Sequence, residues 1–458
     1  MAGEEVLETP TPDGPRTEDL WMSGTELPAY ISDGTDEGEQ KMYADESTER
    51  IKDQTGTRLG EDTLYEDETS DDEKMIINMG PQHPSTHGVL RLNIELEGET
   101  VRRVKPIIGY LHTGMEKTAE TLKYFQGPTN VTRMDYLAPL HNELCFSLAV
   151  EKLLEIDMPP RAQAIRILMT EMNRVSSHLV ALATGGIDLG AMALMFYGLR
   201  EREYFLDFFE SVSGLRMNHN YIRPGGVAAD LHDGWEDELE AILERMPPAL
   251  KDFDDLLEHN HIWKGRTQGV GVITPEEALA HSLTGPVLRS TGVPHDLRKM
   301  APYSGIDQYE FDVITGQYGD AYDRYRVRVE EIKQSLRIIK QVADTMPLGD
   351  YKTDDAKITP PPRKRINESM EAVIHHFKLH TEGFKVPEGE AYVAIESPRG
   401  ELGCYIVSDG SSQPLRMHTR APSFANLQSL PIMMADAPIA DAIAALSSID
   451  PVLGDVDR

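Results

Sequence analysis

The spacing of hydrophobic and polar positions changes twice along this chain of 458 residues, near residue 114 and again near 389. Leu90, Leu92, Ile94 and Leu96 alternate with Arg91, Asn93 and Glu95, which is the period-two pattern of a half-buried strand. Residues 75–79 read as another strand, Glu97-Gly98-Glu99 as a turn, and 101–108 as the returning hairpin partner. From about Gly114 the pattern becomes long helices with short connections, predicted over 115–125, 136–155, 160–183, 189–211, 235–251 and 307–346. That succession is the signature of a helical bundle. Gly and Pro punctuate it, as at Gly185-Gly186 and Pro224-Gly225-Gly226. Period two returns in 392–396 and 402–407 across the turn Ser397-Pro398-Arg399-Gly400, and a last helix over 436–446 leads into the terminal 447–458. The expected fold class is α+β, a helical core flanked by small N- and C-terminal β elements.

Residues 1–74 stand apart from this pattern. They carry 23 Asp and Glu against 6 Lys and Arg, which is −17 of the total −32 and leaves −15 for the other 384 residues. Acidic and poor in apolar residues, such a stretch cannot bury enough surface to offset its ordering entropy. The expectation is a disordered or partner-draped extension, with Leu20-Trp21-Met22 and 27–31 as short apolar clusters able to dock on a neighbour. The chain then divides into a β domain at 75–113, a helical core at 114–385 and a β/α segment at 386–458 that returns to the core. The acidic balance argues against a nucleic-acid surface, which needs a basic stripe. Cys145 and Cys404 are the only cysteines. Two cannot form a disulfide framework, nor alone bind zinc or an iron–sulfur cluster. No apolar run approaches the roughly 18 residues of a membrane helix, and 1–5 lack the basic start of a signal peptide. A soluble, cytoplasmic chain is expected.

Candidate chemistry concentrates in a few places. Gly80-Pro81-Gln82-His83-Pro84-Ser85-Thr86-His87-Gly88 sets two imidazoles between residues that shape a loop. It either presents His83 and His87 to a ligand or is a turn whose histidines satisfy backbone groups. Tyr136 follows Thr132-Arg133-Met134-Asp135 at an expected helix start, where its hydroxyl can meet a ligand carbonyl or the backbone. Asp188, after Gly185-Gly186, reads first as the N-cap of a new helix. Glu171, Arg174 and His178 share one helical face, a polar stripe toward a partner helix or solvent.

Taken in order, 80–88, 109–117 (Gly-Tyr-Leu-His-Thr-Gly-Met-Glu-Lys), 133–137, 150–153, 173–178 and 188–191 resemble the D, or 49 kDa, subunit family of bacterial NADH-quinone oxidoreductase, respiratory complex I. The resemblance runs from about residue 75 to 458. It implies a peripheral-arm subunit of a proton-pumping complex, on the cytoplasmic side of the bacterial cell membrane. That subunit forms a quinone-reduction pocket with an adjacent subunit, which carries the terminal iron–sulfur cluster. A second peripheral-arm subunit and a membrane subunit at the quinone channel are its other implied partners. The substrate is menaquinone or ubiquinone, reduced to quinol by electrons from NADH. The family's two head-group donors map onto His87 and Tyr136, and the histidine's carboxylate partner maps onto Asp188. His83 and Asp135 are implied as neighbours.

The family in turn resembles the large subunit of nickel–iron hydrogenases, whose metal sits on two Cys-x-x-Cys pairs. The corresponding stretches here are 133–138 and 450–455, so the four thiolate positions hold Asp135, Ala138, Val452 and Asp455. Two carboxylates and two apolar groups cannot replace four soft sulfurs. The resemblance therefore implies a retained pocket, with Val452 in its wall, and no metal in this chain. It also implies a buried C-terminus, with Arg133 as the expected partner of Asp455. The rival readings are a hydrogenase-type enzyme, opposed by the missing cysteines, and a scaffold subunit of the same fold that binds no quinone.

Overall fold

Strand alternation builds the first sheet, in which β1 (Lys74–Met79), β2 (Arg91–Glu97) and β3 (Thr100–Ile107) run antiparallel in that order. Ile94 sits opposite both Ile77 and Val104. Leu92, Ile94 and Leu96 are buried, as the period-two reading requires. That face packs on Leu430, Met433, Leu446, Ile449, Leu453 and Val456, so residues from the far end of the chain cover the N-terminal sheet. The computed structural model describes residues 74–81 and 88–458. The expected acidic extension and the loop that carries His83 and His87 lie outside the described residues.

The fold is α+β, with its main core among the long helices α1 (Pro139–Leu154), α2 (Pro160–Asp188), α3 (Met192–Ser213), α4 (Trp235–Leu257) and α5 (Ala321–Asp344). Between α3 and α4 lies a two-residue ribbon, β4 (Ile222–Arg223) with β5 (Gly226–Val227). A second three-stranded antiparallel sheet, β6 (Gly389–Ser397), β7 (Gly400–Ser408) and β8 (Arg416–Arg420), packs against α1. Helix α6 (Ile439–Ser448) and a short terminal helix, Leu453–Asp457, close the chain.

Several predicted boundaries move, each for a physical reason. The first predicted helix is confined to Met115–Ala119 and followed by turns. Helix α1 starts at Pro139 rather than at Tyr136, because the Asp135 side chain accepts from the N–H groups of Leu137 and Ala138 (both 3.2 Å) and holds a turn there. Helix α2 runs straight through Gly185-Gly186, which serve close packing instead of a break. A Cβ at Gly186 would lie 2.6 Å from Leu194 Cδ2, and one at Gly198 on α3 would lie 2.8 Å from Ala183 Cβ. Asp188 is consequently the last residue of α2 and not the cap of the next helix. The helix predicted over 307–346 begins only at Ala321, where the Asp320 side chain caps it by accepting from Asp323 N. The preceding segment has left the helical path, with Gly319 at φ +64° so close to the Ile273 carbonyl that a Cβ would meet it at 2.2 Å.

Candidate functional site

The C-terminal segment turns inward at Asp450 (φ +52°) and buries Leu453 to Asp457. Backbone N–H groups of Gly109 and Leu111 donate to the Asp457 carboxylate (2.8 and 2.7 Å), and His112 Nδ1 donates to its carbonyl (2.7 Å). Ser423 N donates to Asp455 Oδ2 (3.1 Å), and Arg458 Nη1 donates to the Thr419 carbonyl. Both Asp457 oxygens are thus bonded, whereas Asp455 Oδ1 has no partner and makes that carboxyl the costlier one to bury. Glycine permits the seat: a Cβ at Gly454 would stand 2.4 Å from the Met134 carbonyl and 3.2 Å from Tyr136 Cδ1. On the other side a Cβ at Gly88, the described end of the histidine loop, would lie 3.6 Å from Leu453 Cγ. One five-residue helix therefore lies against both the Tyr136 turn and the base of the loop.

The four positions Asp135, Ala138, Val452 and Asp455 are all buried. Between the two stretches lies a side chain that sequence reasoning missed, Arg399 at the β6–β7 turn. Its Nη1 donates to Asp135 Oδ2 (2.8 Å) and Ser177 Oγ (3.1 Å), its Nε donates to the Asp450 carbonyl (3.1 Å), and Nη2 pairs with Asp450 Oδ2 at 3.0 Å. Arg133, the expected cation, instead donates to the Thr129 carbonyl on the surface; a backbone acceptor in its own turn satisfies it, and Arg399 takes its place. Nothing in the pattern around Ser397-Pro398-Arg399-Gly400 distinguishes a buried hairpin tip from a solvated one.

Three carboxylates around one guanidinium leave the cluster short of positive charge, and burial makes that costly. Burial raises the Asp135 pKa, opposed by Arg399 and reinforced by Asp450. Burial pushes Asp455 up to about 6, with the Asp135 charge adding to it and Ser423 opposing. The Arg399 guanidinium, although burial opposes its charge, is held charged by Asp135, Asp450 and Asp455. Tyr136 is half-buried; burial raises its phenol pKa and the Arg399 charge lowers it. A phenol in that state keeps its proton at neutral pH and can donate it in a hydrogen bond.

The Glu171, Arg174, His178 stripe faces partner elements and is buried. His178 Nε2 pairs with Glu331 on α5 (3.0 Å), Glu171 accepts from Ser335 (2.7 Å) and Arg298 (3.1 Å), and Arg289 bridges Glu331 (2.7 Å) and Glu396 (2.6 Å). Burial opposes the Glu171 charge, yet Arg174 and Arg298 hold its pKa at about 2. Asp188 is partly buried at the end of α2. Cys145 and Cys404 are free and buried; burial raises the Cys145 thiol well above its usual value and pushes Cys404 up to about 12, so neither forms a thiolate readily. Among the described residues no group of three or more His, Cys, Asp or Glu is placed to hold a metal ion, and no helix is long and apolar enough to cross a membrane.

A model of the family described as respiratory-chain NADH dehydrogenase, 49 Kd subunit, matches residues 188–458. The chain belongs to this 49 kDa subunit family. The D subunit of NADH-quinone oxidoreductase from Mycobacteroides abscessus is 55% identical over 405 residues, covering 84% of this chain and 94% of the relative. The corresponding D subunit from Rhodococcus jostii is 53% identical over 405 residues, with 84% and 92% covered. One from Chloroflexus aurantiacus, the D subunit numbered 2, is 54% identical over 389 residues, with 84% and 95% covered. As a 49 kDa family member the chain is a subunit of complex I, with other complex I subunits as its partners.

Proposed function

We propose that this chain forms the quinone-reduction pocket of complex I together with an adjacent iron–sulfur subunit. Its substrate is a membrane quinone, menaquinone or ubiquinone, reduced to quinol by electrons from NADH as the complex translocates protons. A second peripheral-arm subunit and the membrane subunit at the quinone channel complete the surroundings, on the cytoplasmic side of the bacterial cell membrane. The observation that carries the reading is the terminal helix Leu453–Asp457, which lies against Tyr136 at Gly454 and against the base of the histidine loop where Leu453 meets Gly88. Those are the two places from which the family's head-group donors would reach the carbonyls.

Reduction adds two electrons and two protons to the quinone, and donors at its carbonyls stabilise the negative charge that electrons bring. Tyr136 serves one carbonyl with a phenol that burial keeps protonated, and the Arg399 guanidinium stands ready to stabilise the tyrosinate left by proton transfer. His87 serves the other, oriented by the Asp188 carboxylate, with His83 beside it. Asp135 and Val452 form the inner wall, with the Asp135 and Asp455 carboxyls behind the phenol. The electrons come from the cluster of the neighbouring subunit.

The test is to assay membranes of Tyr136→Phe and His87→Ala with NADH and either a quinone or an artificial acceptor. Loss of an acid–base donor predicts a quinone rate lower by about tenfold or more, with the artificial-acceptor rate and assembly retained. Full quinone reduction in both variants would leave the scaffold reading as the better one.

A further inference from the structure

A second crevice, a cavity of about 30 Å³, lies between α2, the helix His261–Thr267, α5 and α6. Its wall includes Gly185, Trp263, Tyr325, Arg328, Ser447 and Ser448 and contains no Asp or Glu. Four of these side chains are at least nine-tenths buried, Trp263 (6% exposed), Tyr325 (6%), Arg328 (5%) and Ser447 (7%). Each holds an atom without a hydrogen-bond partner: the indole Nε1, the Tyr325 hydroxyl, Arg328 Nε and the Ser447 hydroxyl. Buried polar atoms are nearly always bonded, and four orphans on one void call for an occupant. Indole and guanidinium N–H groups only donate, so the occupant must accept. One water could accept from the two N–H groups and donate to the two hydroxyls, so the choice between water and an anion falls to the charge around the void.

The charge selects the anion. Arg324 and Arg328 lie one turn apart on α5, both buried. The hydrogen bonds of Arg324 go to neutral groups, Ser448 Oγ (2.9 Å) and the carbonyls of Gly319 (3.0 Å) and Gly271 (2.6 Å). That of Arg328 goes to the Arg324 carbonyl (3.4 Å). Asp450 and Glu331 act on Arg328, and Asp320 and Asp323 on Arg324, from beyond contact distance. Ala321, the first residue of α5, is in the wall and brings the positive end of that helix. The C-terminal ends of α2, α6 and the His261–Thr267 helix bring the opposite partial charge, about half an elementary charge each, against two full guanidinium charges and the positive end of α5.

We propose that this crevice binds a small monovalent anion of halide size, held by the N–H groups of Arg328 and Trp263 and the hydroxyls of Tyr325 and Ser447. The bound anion ties α2, α5 and α6 together, and the proposal is independent of the quinone reading. Crystals of the assembled complex soaked in bromide test it directly. An anomalous peak within hydrogen-bond reach of Arg328 Nε and Trp263 Nε1 is expected; no anomalous peak there overturns the proposal. In solution, the unfolding temperature of the full chain should rise saturably with chloride and not with gluconate at equal ionic strength. Arg328→Gln should abolish that rise. Should that variant not fold, Trp263→Phe decides, since it removes one donor and should move the chloride midpoint upward roughly tenfold. An unchanged midpoint, or a chloride response equal to that of gluconate in the unaltered chain, overturns the site.

Discussion

Asp455 holds its proton higher on the pH scale than a solvated carboxyl because it shares a dry interior with Asp135, and this outweighs Ser423 and the Arg399 charge, which favour its ionised form. Its pKa is raised to about 6 in the folded chain, against about 3.9 unfolded. The folded state therefore binds more protons between those values, and the stability Asp455 contributes when protonated is lost as pH rises from about 4 to about 6. Asp455→Asn keeps the acceptor for Ser423 N and removes the charge. Denaturant titrations should find the variant more stable than the parent at pH 7, by about 3 kcal/mol at most, with the gain vanishing near pH 4. An equal gain at both pH values would mean that the carboxylate is not the cause. At this scale the sequence was legible where residues belong to the quoted motifs, as with Asp135 and Asp455. It was illegible for their cation: Arg399 reaches Asp135 from 264 positions away, and no local pattern announces a contact of that range, whereas Arg133 stood close in sequence and was satisfied by its own turn.

Elements were read well where periodicity alone decides them. The three N-terminal strands and the β6–β7 hairpin lie where alternation put them, because one face of each must be buried. Glycine misled, because it has two uses: it ends helices by conformation, and it lets helices approach. Gly186 and Gly198 have the second use, where α2 and α3 pack against each other. Gly198→Ala gains helix propensity worth about 1 kcal/mol, but its Cβ would stand 2.9 Å from the Leu179 carbonyl and 2.8 Å from Ala183 Cβ. Overpacking against backbone costs about 1–3 kcal/mol, so the sum should be destabilising. Gly265→Ala, in the His261–Thr267 helix with no atom within 4 Å of the new Cβ, should show the propensity term alone and raise the unfolding temperature. Opposite shifts for the two alanines in thermal unfolding are the expected result; a stabilised Gly198→Ala would mean that the helices separate without cost.

Across the whole molecule, an arginine and carboxylate lattice runs through the same interior that the main hydrophobic core occupies. Arg289 lies on a short helix, Glu331 on α5, Glu396 on β6, and Glu171 with His178 on α2, so one buried network spans both the helical core and the C-terminal sheet. No helical wheel could have found it, since each member looks like a solvated charge until its partners arrive from other elements. A well-packed apolar substitute for such a lattice would be as stable or more so, but removing one member strands the others. Arg289→Met leaves Glu331 and Glu396 without their closest cation and should cost about 3–5 kcal/mol. Burial already raises the Glu396 pKa, and Arg289 is the largest influence holding it down, so in the variant Glu396 should take up a proton. Arg289→Met with Glu396→Gln removes that stranded charge together with its partner and should recover part of the loss. Denaturant unfolding of the parent, the single variant and the double variant measures both terms. Equal losses in single and double variants would mean that Arg289 acts through Glu331 alone and that the sheet is not coupled to the helical core through this arginine.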